Sequence, residues 1–301
     1  MVPRDPEELD ASAHALHAAI APGTRMGPVG LVVADLGRSV AWYETSLGLR
    51  VHRREGARAA LGTGGEDLLV LDEVPGAPPV GRATGLYHFA LLVPARRDLA
   101  AWLAHAARTR VALAGMADHF VSEAIYLSDP DGHGIEVYWD RPREVWEGRV
   151  GERMTTMALD VDGLLGELAD PAREPFDALA AGTVMGHVHL RVADVPAAVA
   201  FYCDTLGFGL MAQLGRQAAF LAAGGYHHHI GANSWESAGA GPAPQGSATL
   251  RRMTVVLPAG PALQATLDRV AAAGAPAEPV DGGHLLNDPS GNPVVLASAP
   301  A

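Results

Sequence analysis

One cysteine, Cys203, is all that 301 residues contain, which excludes an intrachain disulfide framework and suits a reducing cytoplasm. Clustered basic residues are missing too, and the formal net charge is −12. So acidic a chain has no electrostatic footprint for nucleic acid or for an anionic membrane. No apolar run reaches the length a bilayer span needs. The opening residues, Met1-Val2-Pro3-Arg4-Asp5-Pro6-Glu7-Glu8, are acidic and lack the apolar region of a secretory signal. These absences lead us to expect a cytoplasmic protein with neither nucleic acid nor membrane as partner. What is present is apolar: 49% hydrophobic against 19% charged residues, enough for a well-buried core. The length accommodates two domains.

The chain repeats itself. Gly27-Pro28-Val29-Gly30-Leu31-Val32-Val33-Ala34-Asp35 reads as a strand ending at an N-cap aspartate. A helix over 36–47 follows, with Gly48 as its C-cap. The pattern returns as Gly186-His187-Val188-His189-Leu190-Arg191-Val192-Ala193-Asp194, then a helix over 195–206 and Gly207. A second element is duplicated as well. The strands 85–94 and 249–258 each precede a helix, over 97–107 and 261–273. Each of these leads on to a turn, Asp129-Pro130-Asp131-Gly132 in one case and Asp288-Pro289-Ser290-Gly291 in the other. Four strand-helix-strands units, two per half, indicate an α+β fold rather than a doubly wound sheet. Residues 1–24 read as a leader. The expected domains span 25–142 and 183–299, joined by a linker over 143–182 that holds a short helix at 161–168.

The first of those turns separates two predicted strands, 124–127 and 135–139. Period-2 alternation puts Glu136 and Tyr138 on one face, and Ile135, Val137 and Trp139 on the other. A carboxylate inside an apolar strand needs a partner, since burying it unpaired is costly. A buried Arg or Lys would serve. So would a metal ion.

With these features the chain resembles the vicinal oxygen chelate superfamily, in which βαβββ modules pair into half-open β-barrels around a divalent metal. The likeness is carried by Val188 to Asp194 with Phe201-Tyr202 and Leu206-Gly207-Phe208, and by the turn that leads to Glu136. It implies four βαβββ modules forming two glyoxalase/bleomycin-resistance-like domains. The series His119, Ile125-Tyr126, Asp129-Pro130, Gly132, Glu136 is similar to the signature of extradiol ring-cleaving dioxygenases of the two-domain catechol 2,3-dioxygenase type. Ala117 departs from it, standing where Gly, Asn, Thr, Ile or Val is expected.

The resemblance implies a metal set of His88, Glu136 and His187, with units two and three facing each other. Units one and four, offering Pro28, Arg252 and Val295, would form a degenerate counterpart. Two histidines and one carboxylate with open positions suit non-haem Fe(II), with Mn(II) as a substitute. Such a centre keeps one positive charge, which a singly deprotonated catechol neutralises. The implied partners are a catechol-type substrate and O2, and a homo-oligomer is compatible with the family. His119 takes the place of an acid/base group and Tyr126 that of a hydroxyl bonding the substrate oxygen.

The run Gly224 to Gly231 reads as the last strand of unit three. Alternation then turns His227 and His229 inward, beside His189, as catalytic candidates. His229 is alternatively a fourth ligand, because glyoxalases of the superfamily carry a Glu near that position. His228 is expected to be structural or supporting, and His133 to be exposed in its turn. Rival readings on the same fold are a glyoxalase-type isomerase, a thiol transferase acting on an antibiotic epoxide such as fosfomycin, and a metal-free drug-binding protein.

Overall fold

The structure, a computed structural model, describes residues 18–300; the expected leader over 1–24 falls mostly outside them. Unit one holds β1 (Arg25–Met26), β2 (Val29–Val33), α1 (Leu36–Trp42), β3 (Arg50–Glu55), β4 (Arg58–Gly62) and β5 (Asp67–Glu73). Unit two holds β6 (Gly85–Leu92), α2 (Arg96–Thr109), β7 (Leu113–Asp118), β8 (Ser122–Ser128) and β9 (Gly134–Asp140). The connection carries α3 (Arg143–Trp146), α4 (Val150–Arg153) and α5 (Val161–Leu165). Unit three holds β10 (Val184–Arg191), α6 (Val195–Ala200), β11 (Gly209–Leu214), β12 (Ala218–Ala222) and β13 (Ile230–Asn233). Unit four holds β14 (Leu250–Leu257), α7 (Ala262–Ala272), β15 (Glu278–Val280), β16 (Gly283–Asn287) and β17 (Pro293–Ser298). The fold is α+β.

The first helix of each half starts as its sequence dictates. Asp35 is extended and accepts from Arg38 N at 2.9 Å, and Asp194 accepts from Ala197 N at 2.8 Å. Each cap satisfies an otherwise orphaned N–H. Asp35→Ala and Asp194→Ala are each expected to cost about 1 kcal/mol, read as a lower denaturant midpoint at constant slope. Both helices were expected to run on as α-helix, but they widen into a π turn, over Tyr43–Leu47 and Phe201–Thr205. Gly48, at φ 74°, ends the first in the left-handed conformation that glycine tolerates.

The units pair across the halves. One mixed sheet runs β11-β12-β13-β10-β6-β9-β8-β7, joining unit three to unit two through antiparallel β10 and β6. The other runs β15-β16-β17-β14-β2-β5-β4-β3 and joins unit four to unit one in the same way, with β1 beside β14. Alternation divides the faces of the unit-two strands. Phe89, Leu91, Ile135 and Val137 enter one apolar cluster with Leu99, Trp102 and Leu103 of α2. Ala90, Ala124 and Tyr138 pack together in another cluster.

The turns at 129–132 and 288–291 clasp each unit to its sequence neighbour. Tyr43 Oη donates to Asp129 at 2.9 Å, and Tyr202 Oη to Asp288 at 3.2 Å. Arg38 and Ser39 both bond Asp131. His133 is not exposed as its turn position suggested: it is buried, with Nε2 2.9 Å from the Val32 carbonyl. Its ring is used to close the joint between units one and two.

Candidate metal centre

A single rung of the β8–β9–β6–β10 ladder lays out the site. Tyr126 pairs with Glu136, Glu136 with Ala90, and Ala90 with His187. Residues on one rung point to one face of the sheet, and Ala90 in the middle keeps that face open between Glu136 and His187. His88, two residues before Ala90, shares its face, and His189 stands opposite His88 across the seam. The expected trio thus comes together from β6, β9 and β10.

Its donor atoms converge. His88 Nε2 and His187 Nε2 lie 3.0 and 3.1 Å from Glu136 Oε2, and all three donors fall within 4.8 Å of one another. Donors at right angles on one ion, with bonds of about 2.1 Å, stand about 3 Å apart. His88 Nε2, one of the converging donors, is buried without an aligned hydrogen-bond partner. A buried nitrogen in that state is costly unless a donor or a cation meets it. Burial alone would raise the Glu136 carboxyl, but His187 and His88 outweigh it and hold it well below the usual range. Burial keeps His187 below the ordinary imidazole value. An ionised carboxylate and neutral imidazole are the protonation states that metal binding requires. Two nitrogens and one oxygen, gathered on one side of a cavity of about 840 Å³, fit a divalent metal with positions to spare.

His119 and Tyr126 face the same cavity. His119 Nδ1 is 2.8 Å from the Thr155 carbonyl and its Nε2 is 2.7 Å from Tyr126 Oη. A carbonyl only accepts, so Nδ1 carries the proton; neutral His119 then accepts the Tyr126 hydroxyl at Nε2. Burial, with the Glu136 charge behind it, holds Tyr126 well above the ordinary phenol value. Thr155 comes from the connection between the halves, whose sequence gave no sign of a role in the site. Its anchor is Phe120, at φ 68°. The Phe120 N–H donates to Asp118, which Arg141 holds through both oxygens at 2.7 and 2.8 Å. The guanidiniums of Arg153 and Arg149 sit 4.7 and 5.6 Å from the Phe120 ring, pinning α4 and the residues after it against His119.

The histidine run is arranged otherwise than alternation suggested. Gly224 and Gly225, at φ 59° and 68°, turn the chain, and β13 begins only at Ile230. Residues 227–229 are therefore irregular, and period 2 does not apply to them. His228 lines the cavity, with its ring 4.1 Å from that of His187. His227 instead bonds Asp140. His229 Nδ1 accepts the Ala223 N–H, and burial pushes its pKa down to about 3. Nor does His229 take the place of a fourth ligand, for Gly231 is the residue paired with His189. A Cβ on Gly231 would lie 2.7 Å from the His189 ring, so the glycine is what admits His189 to the cavity. That ring is buried and its Nε2 has no partner. No regular signal in the sequence marked Thr155 or Asp140, whereas His228 and His189 stood in view.

The other sheet repeats the rung with different chemistry. Ala60, Val70, Gly30 and Arg252 occupy it, and none is a metal ligand. Among the described residues, no helix is long and apolar enough to cross a membrane.

Comparisons with known proteins agree with this architecture. The family model described as the Glyoxalase/Bleomycin resistance protein/Dioxygenase superfamily matches residues 25–137 and 184–296. A curated relative, the Catechol-2,3-dioxygenase of Bacillus subtilis (strain 168), is 43% identical over 272 residues, spanning 88% of this chain and 94% of its own. A solved structure of a putative dioxygenase from Bacillus subtilis superposes with a TM-score of 0.64 at 14% identity, covering 92% of this chain and 86% of its own. Glyoxalase I from Zea mays superposes with a TM-score of 0.55 at 18% identity, covering 92% of each chain. Those two likenesses speak for the fold alone.

Proposed function

This chain belongs to the glyoxalase/bleomycin resistance protein/dioxygenase superfamily, and from that premise we propose that it is an extradiol dioxygenase of the catechol 2,3-dioxygenase type. It would insert both atoms of O2 into a catechol-type ring beside the diol. The observation that carries the reading is one cavity wall bearing both the His88–Glu136–His187 cluster and the His119–Tyr126 pair. The 43% identity to a relative of that name supports it.

His88, Glu136 and His187 would hold Fe(II), or Mn(II) in its place, which would supply a Lewis acid and a redox partner for O2. The protein's own groups manage the protons. A diol hydroxyl set against Tyr126 gives its proton to Oη as the Tyr126 proton passes to His119 Nε2. The imidazolium so formed keeps its Nδ1–H on the Thr155 carbonyl, which favours the charge. His228, at the His187 end of the cluster, is the imidazole we assign to the far side of the substrate, in place of His227 and His229. Tyr87, His189 and Trp235, with ring centroids 5.2 to 5.8 Å apart, offer an aromatic wall for the ring.

Anaerobic reconstitution with Fe(II), then catechol and air, tests the reading. A yellow ring-opened semialdehyde should form with uptake of O2; no product from any of several catechols would end it. His119→Phe is expected to lower kcat by about 100-fold with iron content unchanged. A glyoxalase-type isomerase or an epoxide thiol transferase needs only a Lewis acid and consumes no O2. Gly231, where a glyoxalase-type isomerase would carry a second carboxylate ligand, speaks against that rival, and the O2 uptake separates the other.

A further inference from the structure

We infer that Asp140 and His227 are positioning residues that fix His228 as a proton acceptor toward the cavity. The contacts have a direction. Asp140 Oδ1 lies 2.7 Å from His227 Nε2, and Tyr226 Oη donates to Asp140 Oδ2 at 2.7 Å. Tyr226 has spent its only proton, so Tyr138 Oη donates to Tyr226 Oη at 2.9 Å. A carboxylate only accepts, hence His227 Nε2 carries a hydrogen. Neutral His227 then offers a lone pair at Nδ1, 2.9 Å from His228 Nδ1. That contact requires a hydrogen on His228 Nδ1 and leaves the His228 lone pair on Nε2.

The His227 ring is closely packed. His227 is 0% exposed, with the rings of Tyr226 and Trp146 at 4.0 and 5.5 Å. One strand supplies both carboxylates, since Glu136, Tyr138 and Asp140 alternate onto one face of β9. The same relay explains why His227, though buried in a histidine run, does not itself reach the cavity.

For what the acceptor does, this assignment rests on the dioxygenase reading. A substrate-derived hydroxyl breaks its O–H bond as an N–H bond forms at His228 Nε2. The imidazolium charge is then eased through His227 onto Asp140, without a proton leaving the relay. An Nε2–H tautomer could only donate.

Ring 15N chemical shifts of the full-length, zinc-loaded, histidine-labelled protein report the tautomer, with the His228 signals identified by their loss in His228→Gln. We expect Nδ1–H in the wild type. His227→Leu should release His228 toward Nε2–H, while His227→Gln should retain Nδ1–H, because its amide accepts from His228 and donates to Asp140. In the iron-loaded enzyme His227→Leu should lower kcat by about 100-fold with the catechol KM unchanged, and His227→Gln should stay close to wild type. Nε2–H at His228 in the wild type, or an undiminished kcat in His227→Leu, would overturn the assignment. The wild-type spectrum decides even where His227→Leu does not fold. It is read without turnover, so a failure of ring cleavage is told apart from a failure of the relay.

Discussion

Glu136→Gln is expected to leave the chain folded and strip it of iron. The glutamine keeps the shape of the side chain on β9 but removes the charge that two neutral imidazoles cannot replace. Around a divalent ion that charge is the largest local compensation the protein offers. Removing groups one layer further out costs about 10- to 100-fold in metal affinity, so a direct ligand should cost more than about 100-fold. Ring cleavage should fall with the iron. Elemental analysis after anaerobic reconstitution, beside a thermal melt, is the measurement. One iron per chain in the folded variant would show that Glu136 does not bind it.

Gly186→Ala should be strongly destabilising. A Cβ on Gly186 would lie 1.8 Å from the Tyr138 hydroxyl and 2.7 Å from the ring carbon bearing it. Tyr138 cannot swing aside, for it is fully buried and its hydroxyl bonds Tyr226. Overpacking of this kind costs about 1–3 kcal/mol, and we place this site at about 3 because β10 must shift. His187 is the next residue, so iron affinity should drop as well. Tyr138→Phe removes the closest atom, and the double variant should recover about 1 kcal/mol relative to additivity. Additive losses in chemical denaturation would mean that the clash is relieved elsewhere.

What the sequence disclosed, and what it hid, follows from where regular geometry holds. The four units were legible because their strands and helices recur with the same caps, as at Asp35 and Asp194. The faces of β9 were legible because alternation is strict within a strand, which set Glu136 against Ile135 and Val137. Pairing across the halves could be anticipated from the distribution of His88, Glu136 and His187, and it is the pairing found. Inference failed where regularity stops. The paired glycines at 224–225 break the alternation, so His228 reaches the cavity instead of His227 and His229. The segment 143–156 has no repeat partner, and nothing in it announced that the Thr155 carbonyl would orient His119. The Asp-Pro-Asp-Gly turn drew notice for its closeness to Glu136, yet Asp129, Asp131 and His133 serve as a clasp between units.

The sheets tie unit two to unit three and unit four to unit one, while the clasps tie one to two and three to four. Four pieces joined in this order make a closed circuit, and the candidate metal centre lies on one of its four seams. On the proposed reading neither half of the gene could encode a working remnant, because each would hold only part of the trio. Two defective copies, one carrying Glu136→Gln and the other His187→Ala, could rescue each other only by trading halves. Recovery of activity on mixing them would thus act as a clock for the opening of the circuit.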